Sequence, residues 1–137
     1  MLKKMFIAIS VVAMLSTAAF AQKKFSGKGF GNMSGEDSII FYEQALEENP
    51  NNHVALTALG SLYANVRGDY DKSIKLFEKA IQINDQYDLA HLGLGMDYAS
   101  LGMIEEARLE FETAMAVSKR QYVMDAAREA LISLQQE

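Results

Sequence analysis

The chain has 137 residues, of which 50% are hydrophobic and 23% are charged, and its formal net charge is -5. This length and composition predict one domain that buries a core. The acidic balance argues against a nucleic-acid partner, and the absence of Cys excludes disulfides, thiolate metal sites and a cysteine nucleophile.

Residues 1–21 have the features of a secretory signal peptide. A short basic start precedes an apolar run, and Ala19-Phe20-Ala21 places small residues two apart, as before a signal peptidase cut. An uncleaved anchor helix is the alternative, because residues 5–21 approach the length that spans a hydrocarbon core of about 30 Å. We expect an exported bacterial chain, periplasmic or secreted, with no membrane insertion after cleavage.

Residues 22–35 are predicted to form a flexible tether. This segment holds four of the nine Gly and three Lys, and it has little apolar periodicity. Phe25 and Phe30 could act as docking points, although isolated exposed aromatic residues are common. The remaining residues, 36–137, are predicted to form a helical repeat domain.

A pattern of about 34 residues recurs along this domain. Its first half is a leucine-glycine-tyrosine motif, which the sequence carries at residues 56–63 and 91–98, and its second half runs from Gly to Ala at residues 68–80 and 102–114. The first halves are 35 residues apart and the second halves 34, which predicts one extra residue between Tyr63 and Gly68. A half copy precedes both repeats, at Ser38-x3-Tyr42-x2-Ala45.

These residues resemble the tetratricopeptide repeat, whose pattern runs W-x2-L-G-x2-Y, then A-x3-F, then P. The resemblance covers about residues 36–121, and the segment that follows resembles the capping helix of the family. Leu56 and His91 depart from the pattern, because each takes the place of its Trp. The resemblance implies an all-α fold, a short right-handed superhelical stack of antiparallel helix pairs.

Local sequence sets the predicted helix bounds. Ser34 and Asp37 form a capping box before the first helix, and Pro50 follows its end. Gly60 and Gly95 fall inside helices, which indicates that a side chain there would strike the paired helix. The predicted helices span residues 36–48, 53–66, 70–83, 87–101, 104–117 and 121–135.

The resemblance implies a concave groove lined by the first helix of each repeat, where extended peptides bind. Carried onto this chain, the groove residues are Val54, Thr57, Ser61, Asn65, Leu89, Leu92, Met96 and Ser100. None of them is Lys or Arg, so the grip on terminal carboxylates used by one branch of the family is not expected here. The expected ligand is an extended apolar or mixed peptide.

The first predicted helix offers a second candidate surface. It resembles the second helix of a repeat, yet the tether replaces the first helix that would cover it. We expect an exposed apolar strip with Ile39 and, at its margin, Phe41, where a partner or a second copy could dock. The alternative is that the tether folds back over this strip.

Catalysis and metal binding are not expected. His53 and His91 are the only histidines and do not form a metal-binding pair, and His91 is expected to serve in packing. No nucleophile-base pair or phosphate-binding loop is present in the sequence, so no cofactor is expected. Arg67-Gly68-Asp69 spells a cell-adhesion tripeptide, but the repeat pattern already requires Gly68.

The predicted function is that of a non-catalytic adaptor of the cell envelope. It would bind a partner protein or peptide through the groove, the first helix, or both. The alternative is a structural subunit that self-associates or assembles into a larger envelope complex through the first helix.

Overall fold

The computed structural model describes residues 33–136. The predicted signal peptide and nearly all of the predicted tether lie outside the described residues. Six α-helices follow one another along the described chain: α1 (Gly35–Glu48), α2 (His53–Leu62), α3 (Tyr70–Ile83), α4 (Asp88–Ser100), α5 (Ile104–Val117) and α6 (Gln121–Leu134). Residues 33–136 contain no strand. The all-α prediction is confirmed, and each predicted helix is present within a few residues of its expected bounds.

The helix ends follow the local chemistry of the sequence. Ser34 caps α1, because its hydroxyl accepts from the Asp37 backbone N–H while the Asp37 side chain accepts from the Ser34 backbone N–H. The predicted capping box is therefore confirmed. The side chains of Asn52 and Asp69 cap α2 and α3 in the same position. Gly68 lies before α3 with a φ of 65°, a left-handed conformation that favours glycine.

The extra residue of the first repeat lies within a helix. Residues Tyr63–Arg67 continue α2 as a π-helical turn, in which the backbone bonds reach one residue further than in an α-helix. The prediction placed this residue in the turn between Tyr63 and Gly68. The structure instead absorbs it by widening the last turn of the helix before Gly68.

The core is divided among three joints, where a joint is the contact between the second helix of one pair and the first helix of the next. The first joint lies between α1 and α2, the second between α3 and α4, and the third between α5 and α6. The buried residues of the first joint are Ile39, Leu59, Leu62 and Tyr63. Those around the second are Leu56, Phe77, Ala80, Ala90 and Leu94. Those around the third are Leu92, Ala107, Phe111, Ala114, Val123, Ala127, Ala130 and Leu134.

Glycines allow the helices to approach each other closely. A Cβ at Gly60 would lie 3.2 Å from the Phe77 ring, and one at Gly95 would lie 2.8 Å from the Phe111 ring. The expectation that these glycines face the paired helix is confirmed. Gly93 was not singled out from the sequence, yet a Cβ there would approach Phe77 more closely still. Phe77 thus fills the space left by glycines on both sides of α3.

Among residues 33–136, no helix has the length and apolar character needed to cross a bilayer.

Candidate protein-binding surfaces

The predicted groove residues lie on α2 with its π-helical turn and on α4, but they are not equally accessible. Asn65 is exposed, and Val54, Leu89, Met96 and Ser100 are half-buried. These five residues can contact a ligand that lies along the groove.

The other three groove predictions need correction, because Thr57, Ser61 and Leu92 are buried. Leu92 is fully buried and packs in the core cluster that includes Ala127 of α6. The first helices of successive pairs contact each other, so the residues between them are covered. In this conformation these three side chains support the groove from below and do not form its surface.

The hydroxyl groups at the groove positions are less available for hydrogen bonds to a ligand than the sequence indicated. Ser61 Oγ donates to the Thr57 carbonyl at 3.1 Å, and Ser100 Oγ donates to the Met96 carbonyl at 2.9 Å. Both serines therefore use their single proton within their own helix. Thr57 Oγ1 is buried and has no hydrogen-bond partner among the described residues. The accessible groove is largely apolar, with the Asn65 amide at one end.

The first helix also differs from its prediction. Ile39 was expected on an exposed strip, but it is 0% exposed and packs against Leu59, Leu62 and Tyr63. This face of α1 is the one that closes the first joint. Ile40 follows at about 100° around the helix and is 51% exposed, and Phe41 is 39% exposed. The apolar surface of α1 is therefore formed by Ile40 and Phe41.

A polar cluster around Tyr63 fastens α1 to the first repeat. The Tyr63 hydroxyl hydrogen-bonds to Glu43 of α1 and accepts from Lys72 of α3. Arg67 forms an ion pair of 2.6 Å with Glu36, and its hydrogen bond to Glu36 lowers the pKa of that carboxyl. This cluster could not be predicted from the sequence, because its members are distant along the chain.

The adhesion-like tripeptide has structural partners. Arg67 pairs with Glu36, Gly68 ends the π-helical turn, and Asp69 caps α3 by accepting from the Lys72 backbone N–H at 3.0 Å. Both charged side chains of the tripeptide are thus engaged within the chain.

His91 packs in the Trp position of the repeat, but it is also hydrogen-bonded. It is 6% exposed, with Nδ1 at 2.7 Å from Glu110 Oε2 and Nε2 at 2.9 Å from the Asp85 carbonyl. Both partners are acceptors, so the doubly protonated imidazolium satisfies both. The Glu110 hydrogen bond, aided by the Asp85 carbonyl, raises the pKa of His91 against the opposing effect of burial.

Asp97 is a buried carboxyl that the sequence analysis missed. It lies on α4 and is 4% exposed, and burial raises its pKa to about 7 against the opposing effect of the nearby Ser73 hydroxyl. The repeat alignment contained the signal, because Asp97 stands 35 residues after Leu62, a core residue of the first joint. A carboxyl at a position occupied by leucine in the other copy marks a buried charge.

Metal binding has no support in the described chain. Within residues 33–136, no group of three or more His, Asp or Glu side chains is arranged to hold a metal ion. His53 lies instead 3.2 Å from the Asn84 amide and makes an edge contact with the Tyr87 ring.

Comparison with solved structures identifies the fold. A structure described as the first TPR of Spaghetti (RPAP3) bound to the HSP90 peptide SRMEEVD matches with a TM-score of 0.68 and 19% identity, over 98% of this chain and 91% of that one. The TPR domain of Arabidopsis OM64 matches with a TM-score of 0.69 and 18% identity, over 97% and 98% of the two chains. This chain has the tetratricopeptide repeat fold.

Sequence comparison supports the tetratricopeptide assignment over shorter stretches. The family model of the tetratricopeptide repeat matches residues 41–75, which run from α1 through the first repeat into α3. Cell division cycle protein 27 homolog A of Arabidopsis thaliana is 38% identical over 50 residues, which are 36% of this chain and 7% of that protein. The likeness to that relative therefore concerns one stretch of a much longer protein.

A further tetratricopeptide structure was solved with a peptide bound. The second TPR domain of human RPAP3, in complex with the HSP70 peptide SGPTIEEVD, matches with a TM-score of 0.66 and 19% identity. The match covers 98% of this chain and 99% of that domain. At this level of identity the likeness concerns the fold.

Proposed function

We propose that this chain is a non-catalytic adaptor that binds an extended peptide segment of another protein in the groove formed by α2 and α4. The observation that carries the proposal is the accessibility of Asn65, Leu89 and Met96 on adjacent first helices. Two solved structures of the same fold are described as complexes with peptides, which supports a peptide as the ligand.

The chemistry of the groove favours an apolar or mixed segment. The peptides SRMEEVD and SGPTIEEVD in the solved complexes end in acidic residues. The eight groove positions of this chain hold neither Lys nor Arg, so the charge-assisted bonds that bind a terminal carboxylate are missing there. Met96 adds a flexible, polarisable contact suited to apolar side chains of varied shape.

The test begins with a direct binding measurement on the chain from residue 22 onward. Fluorescence anisotropy with labelled SRMEEVD should show no saturable binding, and a displayed library of envelope-protein segments should yield apolar or mixed binders. The groove variant Met96→Glu should weaken those binders at least tenfold. The matched control Leu109→Glu places the same charge on α5, at a side chain that is 62% exposed outside the groove. Equal losses in both variants would contradict the groove assignment.

The envelope location is part of the proposal and rests on the sequence of residues 1–21. Cell fractionation with a C-terminal tag should recover the chain in the periplasm or the medium, shortened by about 21 residues relative to the full sequence. Recovery in the cytoplasm at full length would contradict export, and recovery in the membrane at full length would favour the anchor.

A structural subunit that assembles through α1 is the second candidate. The observation that favours it is the exposure of Ile40 beside Phe41 on the side of α1 away from the first joint. Light scattering on the chain from residue 22 onward separates the two functions. An adaptor should be monomeric, whereas a subunit should show a higher mass that Ile40→Glu abolishes and Leu109→Glu does not.

A further inference from the structure

The second joint contains an acidic side chain where the first joint has an apolar one. Asp97 of α4 is buried, and its carboxyl lies close to the hydroxyl of Ser73 on α3, which is 0% exposed. The equivalent pair in the first joint is Ser38 and Leu62, since both residues lie 35 positions earlier. Ser38 uses its hydroxyl to donate to the Ser34 carbonyl, and Leu62 packs in the core.

The carboxyl of Asp97 has little to compensate a negative charge. Its Oδ2 atom is buried and has no hydrogen-bond partner among the described residues. An unpaired carboxylate in such a place is costly, and the usual response is that the group takes up a proton.

The charged groups of the helices packed against α4 do not pair with Asp97. Those with other partners are His53 with Asn84, Lys72 with Tyr63, Glu78 with Tyr98, Arg108 with Glu105, Glu110 with His91, and Arg128 with Asp125. Those on exposed positions are Asp71, Lys75, Lys79, Glu106, Glu112 and Glu129. Burial and Ser73 therefore dominate the environment of the carboxyl.

Ser73 connects Asp97 to the backbone of α2. The Ser73 hydroxyl donates to the Gly60 carbonyl at 2.7 Å, three residues before the π-helical turn begins. A hydroxyl has one proton to donate and can also accept. When Asp97 is protonated, its O–H donates to Ser73 Oγ while Ser73 continues to donate to Gly60. When Asp97 is ionised, both the carboxylate and the Gly60 carbonyl require the same Ser73 proton.

We propose that the second joint is a proton-operated switch, in which Asp97 releases its proton to solvent and the Ser73 hydroxyl turns from the Gly60 carbonyl to the carboxylate. The protonated joint is the tight form, because every donor has an acceptor. The ionised joint holds a buried charge, and α3 has lost its side-chain hydrogen bond to α2. The pair formed by α2 and α3 is then held less tightly.

The direction of the pH effect follows from the raised pKa of Asp97, which changes from an ordinary value of 3.8 to about 7. Below pH 4 the carboxyl is protonated in the folded and unfolded chain, and its full contribution to stability is present. Between pH 4 and 7 the unfolded chain ionises first, so stability falls as the pH rises. Above pH 7 the contribution has been lost.

Ionisation of Asp97 would also affect the groove, because α2 and α4 carry the groove residues as well as Gly60 and Asp97. This last step rests on the proposed function, whereas the switch itself does not depend on any ligand. If the chain is monomeric and its groove binds no peptide, the measurements below still test the switch.

Carbon-13 NMR on the wild-type chain tests the switch directly. The Asp97 carboxyl resonance should titrate with a midpoint near 7, and the Gly60 carbonyl resonance should shift with the same midpoint as it loses the Ser73 hydrogen bond. A midpoint near 4 for Asp97, or a Gly60 resonance that stays constant through the Asp97 titration, would overturn the proposal.

Substitution tests the effect on stability. The ratio of unfolding equilibrium constants between wild type and Asp97→Asn should rise with pH, by up to about tenfold per pH unit between pH 4 and 7. The matched control Asp71→Asn removes the same charge from an exposed position of α3 and should give a nearly constant ratio. Parallel curves for Asp97→Asn and wild type would overturn the proposal.

Ser73→Ala separates the switch from a merely buried acid. The Ser73 hydrogen bond lowers the pKa of Asp97, so its loss should move the carboxyl midpoint upward. The Gly60 carbonyl should then no longer follow the Asp97 titration. A Gly60 response that persists without the Ser73 hydroxyl would show that another group couples the two sites.

Discussion

The first and second joints join successive helices of the same repeat pattern, yet their cores are chemically different. The first joint buries Ile39 and Leu62, and its polar contacts lie at the rim, where the Tyr63 hydroxyl bonds to Glu43. The second joint buries Asp97 where the first has Leu62, and it buries Ser73 fully where the equivalent Ser38 of the first joint is only half-buried. The repeat pattern therefore fixes where helices meet, while single substitutions within it decide whether a joint responds to pH.

The two joints also differ in where a glycine allows close approach, in the core of the second and at the rim of the first. In the second joint Phe77 lies against Gly93, so that the ring fits where any side chain would collide. In the first joint the core is filled by branched side chains and Tyr63, and the glycine contact is at the rim, where a Cβ at Gly35 would lie 2.7 Å from the exposed Val66 side chain. Close approach leaves the second joint little space for water, which makes its carboxyl harder to ionise.

The largest effect is expected when a carboxyl is placed in the first joint, at the position equivalent to Asp97. Leu62→Asp should lower the free energy of unfolding by at least about 3–5 kcal/mol at pH 8, because it removes a buried leucine and adds an unpaired carboxylate. At pH 5 the loss should be smaller, since the new carboxyl can take up a proton. Urea unfolding at pH 8 and at pH 5 measures the two losses of unfolding free energy.

Leu62→Ala provides the control for this substitution. It removes the packing without adding a charge, so its loss of about 2–5 kcal/mol should not depend on pH. If Leu62→Asp were also independent of pH, burial at this position would not govern ionisation, and the comparison of the joints would fail.

The second prediction concerns the other titrating group of α4. His91 has a raised pKa, so the stability it contributes with Glu110 is fully present below pH 6.5 and is lost as the pH rises through the folded-state pKa. Glu110→Gln should cost about 1.5–3 kcal/mol at pH 5.5 and less at pH 9. Thermal unfolding across this range gives the difference.

If the stability cost of Glu110→Gln increased with pH, His91 would be neutral in the folded chain. Asp97→Asn should leave the pH dependence of the Glu110→Gln difference unchanged, because His91 and Asp97 have separate partners. This double-variant measurement assigns each part of the pH dependence of stability to His91 or to Asp97.

The third prediction uses the close approach at Phe77. Gly93→Ala should lower the free energy of unfolding by about 1–3 kcal/mol, because the new Cβ collides with the ring and forces a shift. Gly60→Ala meets the same ring at 3.2 Å, and its cost should be smaller because alanine favours the helix by about 0.5–1 kcal/mol. Equal effects in calorimetry would contradict the closer approach of the ring to Gly93 than to Gly60.

The smallest effect is expected at the capping box of α1. Ser34→Ala removes the hydroxyl that accepts from the Asp37 backbone and should cost about 1 kcal/mol. Hydrogen exchange should accelerate in the first turn of α1 and not in α4. Equal acceleration in both helices would indicate that the first joint does not open separately from the second.

The sequence predicted much of the fold because the repeat pattern carries the packing rules. Gly60 and Gly95 were recognised as close-approach positions, since glycine inside a helix is costly unless a neighbour requires it. Gly93 was missed because it occupies a variable position of the repeat pattern, and only the position of Phe77 shows why a glycine is needed there.

The candidate surfaces were predicted less completely. The helical period placed eight groove residues on α2 and α4, but it could not show that Thr57, Ser61 and Leu92 are covered by the neighbouring first helices. In the same way, the apolar stripe of α1 was found, whereas the choice of Ile39 as an exposed member was wrong. A periodic pattern gives a face of a helix, and burial depends on what packs against that face.

By itself, the sequence determined the helices, their caps, the repeat and the absence of cations from the groove, because these depend on nearby residues and on spacing along the chain. Only the tertiary structure decided which groove residues are accessible, how the extra residue is absorbed, and that Asp97 is buried beside Ser73. Those features depend on contacts between residues far apart in sequence, and the ionisation of a carboxyl depends on the solvent that such contacts exclude.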